Sequence, residues 1–172
     1  MQASAQWIAD AVSGRLVGPD ACVTGTVVTD SREASAGSLY VARRGENADG
    51  HAFVHGAIER GAVAVIAERE LEEAVAQIIV EDSTRALGDL ARAHVDALRS
   101  RGTLDVIAMT GSVGKTTTKD LLLQILSEDG PTVAPKLSFN NEVGLPLTAL
   151  QADETTQHLV LEMGASGPGH IS

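Results

Sequence analysis

The stretch that decides the fold lies past the middle of the chain and is Val106-Ile107-Ala108-Met109-Thr110-Gly111-Ser112-Val113-Gly114-Lys115-Thr116-Thr117. It consists of an apolar run, a turn with two glycines, and then a lysine followed by threonines. In a strand–turn–helix unit of this kind, consecutive backbone N–H groups converge on an anion, and the helix adds its positive N-terminal end. The pattern therefore predicts a phosphate-binding loop within an α/β fold built on parallel strands.

The residues of this loop are predicted to contact different parts of a bound nucleotide. The set predicted to bind ATP is Gly111, Ser112, Val113, Gly114, Lys115, Thr116 and Thr117. Lys115 supplies a positive charge to the β- and γ-phosphates, and the Thr116 hydroxyl is a ligand for Mg²⁺. The spacing is shorter than the common Walker pattern, which has a glycine where Met109 stands. A turn that binds nothing is the alternative, but the lysine and threonines directly after the turn favour the phosphate loop.

Two other stretches carry polar residues that suit the same chemistry. Glu162 ends the apolar run 158–162, and a carboxylate at the carboxyl end of a parallel strand is well placed to be a second Mg²⁺ ligand. A surface glutamate at a strand end is the alternative. Asn140 and Asn141 stand beside glycine and proline, where a plain turn leading into a helix is a competing interpretation.

The remaining pattern predicts two α/β modules. In residues 1–82 we predict helices at 6–12 and 53–60 and strands at 23–29, 39–42, 62–67 and 78–80. Residues 83–104 are predicted to form a connecting helix. Residues 105–172 are predicted to hold strands at 106–109, 132–134 and 158–162 and helices at 119–127 and 145–150. A phosphate-loop domain normally has more parallel strands than this, so we expect an incomplete second module and a fragment of a longer enzyme.

Composition and charge exclude several classes of protein. The formal net charge is −10, which argues against a nucleic-acid or anionic membrane partner. There is a single cysteine, Cys22, and neither a signal peptide nor a membrane span is evident, so a soluble cytoplasmic protein is expected. The acidic run 68–73 is interpreted as a solvated helix face. His94 is predicted to lie in the core, whereas His51 and His55 lack an evident third metal ligand.

Taken together, these stretches resemble the Mur ligases of peptidoglycan synthesis, which share the shorter phosphate loop. Three further motifs of this chain are similar to theirs: Thr29-Asp30-Ser31-Arg32, Asp49-Gly50-His51 with Phe53, and Phe139-Asn140-Asn141-Glu142-Val143-Gly144-Leu145-Pro146. The last motif is similar to the branch that joins D-alanyl-D-alanine to UDP-N-acetylmuramoyl-tripeptide. Another amide ligase of the superfamily, of the folylpolyglutamate or cyanophycin synthetase type, and a non-catalytic nucleotide-sugar-binding module are the alternatives.

The resemblance implies a two-step reaction and a distribution of roles. ATP phosphorylates the tripeptide carboxylate, and the amine of D-alanyl-D-alanine displaces the phosphate. Thr116 and Glu162 would hold Mg²⁺, and the implied catalytic residues are Lys115, Asn140 and Asn141. The residues implied to bind the UDP-sugar in the first module are Ser31, Arg32, Glu46, Asn47 and Ala48. Because other catalytic groups of the family have no counterpart in residues 1–172, little or no turnover is expected from this chain alone.

Overall fold

The computed structural model describes residues 1–45, 48–102, 104–135 and 140–164. The chain divides into two compact units, Met1–Leu90 and Ala91–Ser172. The division falls inside the long helix that the sequence predicts as a connector.

The first unit is built on a five-stranded sheet with the order β2-β7-β6-β5-β4. Its strands are β2 (Arg15–Val17), β4 (Val27–Val28), β5 (Leu39–Val41), β6 (Ala64–Ala67) and β7 (Ala76–Ile79). Strands β4 to β7 run parallel to their neighbours, and β2 pairs antiparallel with β7. A separate antiparallel pair is formed by β1 (Ala3–Ser4) and β3 (Cys22–Val23). The helices are α1 (Ala5–Ala11), α2 (Val54–Glu59) and the first part of α3 (Ser83–Ser100).

The central parallel strands of this sheet, β5 and β6, are buried along their whole length. Every residue of β5 and β6 is buried, as expected where both faces of a parallel sheet are covered. The core around them consists mainly of alanine, valine and isoleucine, with Tyr40 as its largest side chain. This arrangement brings the segments that follow β4, β5 and β6 to one edge of the sheet.

The second unit contains a three-stranded parallel sheet with the order β8-β10-β9. Its elements are β8 (Asp105–Met109), α4 (Lys115–Asp129), β9 (Thr132–Val133), α5 (Gly144–Ala149) and β10 (His158–Glu162). The register of β10 on β8 pairs Glu162 with Met109, the last residues of the two strands. The mixed α/β fold with parallel strands confirms the predicted fold class.

Three sequence-based expectations need correction, and two strands of the structure were not expected. Helix α4 begins at Lys115 rather than at residue 119, because Gly114 adopts a left-handed backbone (φ 84°) that starts the helix directly after the turn. The predicted strand 23–29 is interrupted at Gly25, where a Cβ would lie 2.9 Å from backbone atoms of residues 36–38. Residues 68–73 form bends between β6 and β7 and no helix. Strands β1 and β2 have no counterpart among the predicted elements.

The short first helix and the buried position of His94 agree with the expectations from the sequence. Ser4 caps α1, accepting a hydrogen bond from Trp7 N–H at 3.1 Å. His94 is buried, with Nε2 2.8 Å from the Ala152 carbonyl oxygen, and burial lowers its pKa. Within the described ranges, no helix combines the length and the apolar character needed to cross a membrane.

Candidate functional site

The glycine-rich turn between β8 and α4 has the backbone shape that its sequence predicts. Gly111 and Gly114 both have positive φ angles, 151° and 84°, which side chains disfavour. The turn leads straight into α4, whose first N–H groups have no acceptor inside the helix. These N–H groups and the dipole of a 15-residue helix make this end of α4 suitable for an anion.

Lys115 folds back over this turn. Its Nζ donates to the carbonyl oxygen of Gly111 at 2.5 Å, so the ammonium group lies above the loop that it is predicted to serve. The side chain of Val113, by contrast, is 91% exposed, so its predicted part in nucleotide binding rests on its backbone.

Three of the predicted residues meet at the carboxyl end of β10. The Glu162 side chain is buried, with the residue 2% exposed, although it ends a strand. One carboxylate oxygen lies 3.5 Å from the Thr116 hydroxyl, and the other accepts a hydrogen bond from the Asn140 amide at 3.1 Å. Burial rules out the alternative of an exposed strand-end glutamate. Loop, carboxylate and amide therefore form one cluster.

The turn at residues 140–144 is fixed by its own hydrogen bonds. The side-chain oxygen of Asn141 accepts from the N–H groups of Val143 and Gly144 at 3.2 and 2.8 Å, which is typical turn chemistry before a helix. The Gly164 N–H donates to the Asn140 carbonyl oxygen at 2.8 Å, which ties the turn to the segment after β10. Asn140 thus faces Glu162, whereas the Asn141 oxygen is used within the turn; its catalytic role stays a prediction.

This cluster fits a magnesium ion. The contacts of Glu162 given above are to a hydroxyl and an amide, both neutral, and hydroxyl and carboxylate oxygens are the ligands that Mg²⁺ prefers. In the described part of the chain there is no group of three or more histidine, cysteine or acidic residues suited to a metal. Mg²⁺ does not need one, since it is commonly held by one or two protein oxygens together with phosphate.

The substrate-binding residues predicted in the first unit follow β4 and β5. Ser31 and Arg32 form a short 3₁₀ turn, and Arg32 makes a bidentate ion pair with Asp30 (closest approach 2.6 Å). Hydrogen bonds from Arg32 lower the pKa of Asp30 to about 2. The Arg32 side chain is 82% exposed, so its guanidinium is accessible to a ligand.

The loop after β5 lies at the same edge of the sheet as the segment after β4 that contains Ser31 and Arg32. We call the described residues Arg44, Gly45, Ala48 and Asp49 the β5 loop; Glu46 and Asn47, predicted to bind substrate, lie outside the described residues. Arg44 and Asp49 form an isolated bridge, and Gly45 N–H donates to the Ala48 carbonyl oxygen at 2.9 Å. Ala48 is exposed at this edge.

Sequence reasoning missed the buried groups that support the β5 loop. The Tyr40 hydroxyl donates to the Gly50 carbonyl oxygen at 2.9 Å, and burial raises the pKa of Tyr40 to about 12. The buried His51 ring accepts a hydrogen bond from the Glu68 N–H at 2.9 Å. The sequence shows the motif Asp49-Gly50-His51 only as a resemblance, because the contact of the His51 ring with Glu68 involves a residue that is distant in the sequence.

Comparison with known proteins gives a consistent family. Residues 25–95 match the model described as "Mur ligase family, catalytic domain", and residues 109–172 match the "Mur ligase middle domain". A UDP-N-acetylmuramoyl-tripeptide–D-alanyl-D-alanine ligase of Bacillus subtilis is 41% identical over 169 residues, covering 95% of this chain and 36% of the relative. The chain therefore spans about a third of the length of the curated relatives it matches.

Solved structures agree in fold. A crystal structure of MurF from Acinetobacter baumannii has a TM-score of 0.87 at 35% identity and covers 98% of this chain and 37% of its own. The MurF ligase of Thermotoga maritima, solved in complex with ADP, has a TM-score of 0.71 at 36% identity, covering 87% of this chain and 34% of its own. Both family models and both kinds of relative lead to the same conclusion: the chain belongs to the Mur ligase family.

Proposed function

We propose that this chain provides the UDP-sugar-binding unit and the phosphate loop of an ATP-dependent ligase that joins D-alanyl-D-alanine to UDP-N-acetylmuramoyl-tripeptide. The observation that carries the proposal is the cluster of Thr116, Glu162 and Asn140 beside the phosphate loop. The names of the relatives, among them the enzymes of Bacillus subtilis and Escherichia coli, supply the substrates.

The chemistry required of the second unit is phosphoryl transfer. The γ-phosphate of ATP passes to the free carboxylate of the tripeptide, giving an acyl phosphate and ADP. The amine of D-alanyl-D-alanine then attacks the acyl carbon, an amide bond forms, and inorganic phosphate leaves. This reaction needs positioning and charge neutralisation rather than a protein nucleophile. The loop N–H groups and Lys115 are suited to both.

The positions of individual residues support the following proposed roles. Thr116 and Glu162 would hold Mg²⁺, which when bound neutralises charge on the β- and γ-phosphates. Asn140 fixes one carboxylate oxygen of Glu162 at 3.1 Å and leaves the other facing Thr116. When a nucleotide binds, Lys115 Nζ is proposed to donate to phosphate oxygens instead of the Gly111 carbonyl oxygen, because a phosphate carries more negative charge than a peptide carbonyl.

The first unit is proposed to hold the UDP-sugar at the edge where β4 and β5 end. Arg32 contributes an exposed guanidinium, and Ser31 and Ala48 lie at the same edge with it. A local positive charge such as the Arg32 guanidinium allows a chain with a net charge of −10 to bind a diphosphate. Glu46 and Asn47 are proposed to complete the site.

The experiment for the phosphate loop is calorimetric titration of the chain with ADP, with and without Mg²⁺. The wild-type chain should bind ADP, and Lys115→Met should weaken binding by about tenfold or more, since a charge-assisted hydrogen bond to phosphate is lost. Arg85→Met removes an exposed cation elsewhere, with a side chain 82% exposed, and is the matched control. Equal affinity of Lys115→Met and wild type would refute the assignment of the loop.

A further inference from the structure

The side chain of His51 is fully buried, yet both of its ring nitrogens are engaged. Nδ1 lies 2.5 Å from a carboxylate oxygen of Asp49, and Nε2 lies 2.9 Å from the backbone N of Glu68. A backbone N–H can only donate, so Nε2 must be the acceptor. The ring proton therefore resides on Nδ1, which donates to Asp49. The geometry selects the neutral Nδ1–H form of the imidazole.

His51 thereby fixes the last residue of the β5 loop. The same oxygen of Asp49 also accepts from the His51 backbone N–H at 3.0 Å. The other carboxylate oxygen faces the guanidinium of Arg69 at 3.3 Å. These contacts lower the pKa of Asp49 to about 2, with the His51 side chain as the largest cause. Asp49 is thus an oriented carboxylate, although its side chain is 42% exposed.

The first residue of the β5 loop is tied to the same place. Glu68 directly follows β6, and one of its carboxylate oxygens pairs with Arg44 Nε at 3.0 Å. Its other oxygen accepts from the N–H and the hydroxyl of Ser83 at 3.2 and 2.9 Å. Arg44 is therefore held by the Glu68 side chain, and Asp49 by the Glu68 backbone through His51. Both ends of the loop are anchored on one residue at the end of β6.

We infer that His51 is a positioning residue for the nucleotide-sugar: it touches no ligand itself but holds Asp49, and with it the β5 loop, in the binding geometry. This role rests on the proposed function of the first unit. The two hydrogen bonds of the ring have different consequences. The Nδ1–H bond to Asp49 sets the loop, whereas the Nε2 bond satisfies a backbone N–H of Glu68.

Two substitutions separate these bonds. In His51→Asn the amide nitrogen takes the place of Nδ1, which keeps the donor to Asp49 and loses the acceptor for Glu68. In His51→Gln the amide oxygen reaches the place of Nε2, which keeps that acceptor and loses the donor. Each variant loses one hydrogen bond of the His51 ring, so a merely structural role predicts that both variants lose similar amounts of affinity. His55→Asn is the control, since the His55 side chain is 75% exposed and pairs with Glu59.

The test is calorimetric titration of the 172-residue chain and its variants with UDP-N-acetylmuramoyl-tripeptide, alongside thermal unfolding. We expect His51→Gln to lose affinity by about tenfold, the equivalent of one hydrogen bond, and His51→Asn and His55→Asn to stay within about threefold of wild type. Equal affinities of the two His51 variants, when wild type binds, would overturn the positioning role alone. Absence of binding by wild type would overturn the proposed function and this role with it.

A spectroscopic measurement tests the network without any ligand. Long-range ¹H–¹⁵N correlation spectra of the wild-type chain distinguish the ring tautomers of histidine. At neutral pH the His51 ring should show a protonated Nδ1 and an unprotonated Nε2. A ring protonated at Nε2 would contradict the hydrogen bond from Glu68 and overturn the inference, whatever the binding data show.

Discussion

Gly50 directly follows the β5 loop, and replacing it with alanine tests how that loop is held. A Cβ at Gly50 would lie 2.7 Å from the carbonyl oxygen and 2.8 Å from the backbone N of Arg43. Both are backbone atoms of the adjoining segment, so neither can rotate out of the way. Overpacking against fixed atoms costs about 1–3 kcal/mol. The Gly50 N–H also donates to Arg43 at 2.8 Å, and a weakened hydrogen bond adds about 1 kcal/mol.

The expected result for Gly50→Ala is a loss of about 2–4 kcal/mol in the free energy of unfolding. For a unit of this size that corresponds to a drop of about 10 °C or more in Tm. Urea denaturation and scanning calorimetry of the purified chain measure both quantities. The affinity for UDP-N-acetylmuramoyl-tripeptide should fall as well, because the loop is displaced together with Gly50.

Gly88→Ala is the matched control for this substitution. Gly88 lies inside α3, and a Cβ there meets nothing within 4 Å. Alanine is favoured over glycine in a helix by about 1 kcal/mol, so this variant should be slightly more stable than wild type. A Gly50→Ala variant as stable as wild type would refute the packing described for the β5 loop.

Three further outcomes are expected. Tyr40→Phe should lower the free energy of unfolding by about 1–2 kcal/mol in urea titrations, because the Gly50 carbonyl oxygen loses its hydroxyl donor. The pKa of Tyr40 is raised to about 12, so the stability that the Tyr40 hydroxyl confers on wild type should be complete below pH 10 and lost between about pH 10 and 12. The pKa of Asp49 is lowered from 3.8 to about 2, so its contribution should persist above pH 4 and be lost as the pH falls towards 2, and Asp49→Asn should remove that part of the acid dependence in pH-dependent unfolding. Glu162→Gln keeps the shape of the side chain without its charge, so calorimetry should show ADP binding that Mg²⁺ no longer strengthens; an undiminished effect of Mg²⁺ would exclude Glu162 as a ligand.

The parts of the molecule that the sequence predicts are those governed by local patterns. The phosphate loop follows from glycine spacing between an apolar run and a helix, and the strand ending at Glu162 follows from its unbroken apolar run. The cluster of Glu162 with the loop follows from parallel pairing, which brings strand ends to the same edge.

The parts that escaped prediction depend on contacts between distant residues. The acidic run at 68–73 suggested an exposed helix, yet the Glu68 side chain is only 15% exposed, since it binds Ser83 and Arg44. The role of His51 depends on the same distant segment. Asn141 is ambiguous from the sequence, because asparagine is common both in turns and in binding sites. In the structure its side-chain oxygen accepts a hydrogen bond within the turn.

Calorimetric titration of the wild-type chain with UDP-N-acetylmuramoyl-tripeptide is the decisive measurement for nucleotide-sugar binding by the first unit. We expect saturable binding at one site per chain, weakened by Arg32→Ala, because Arg32 offers an exposed guanidinium at the proposed site. UDP alone should compete for the same site. Absence of heat at millimolar ligand would contradict the assignment of the first unit as a nucleotide-sugar-binding unit.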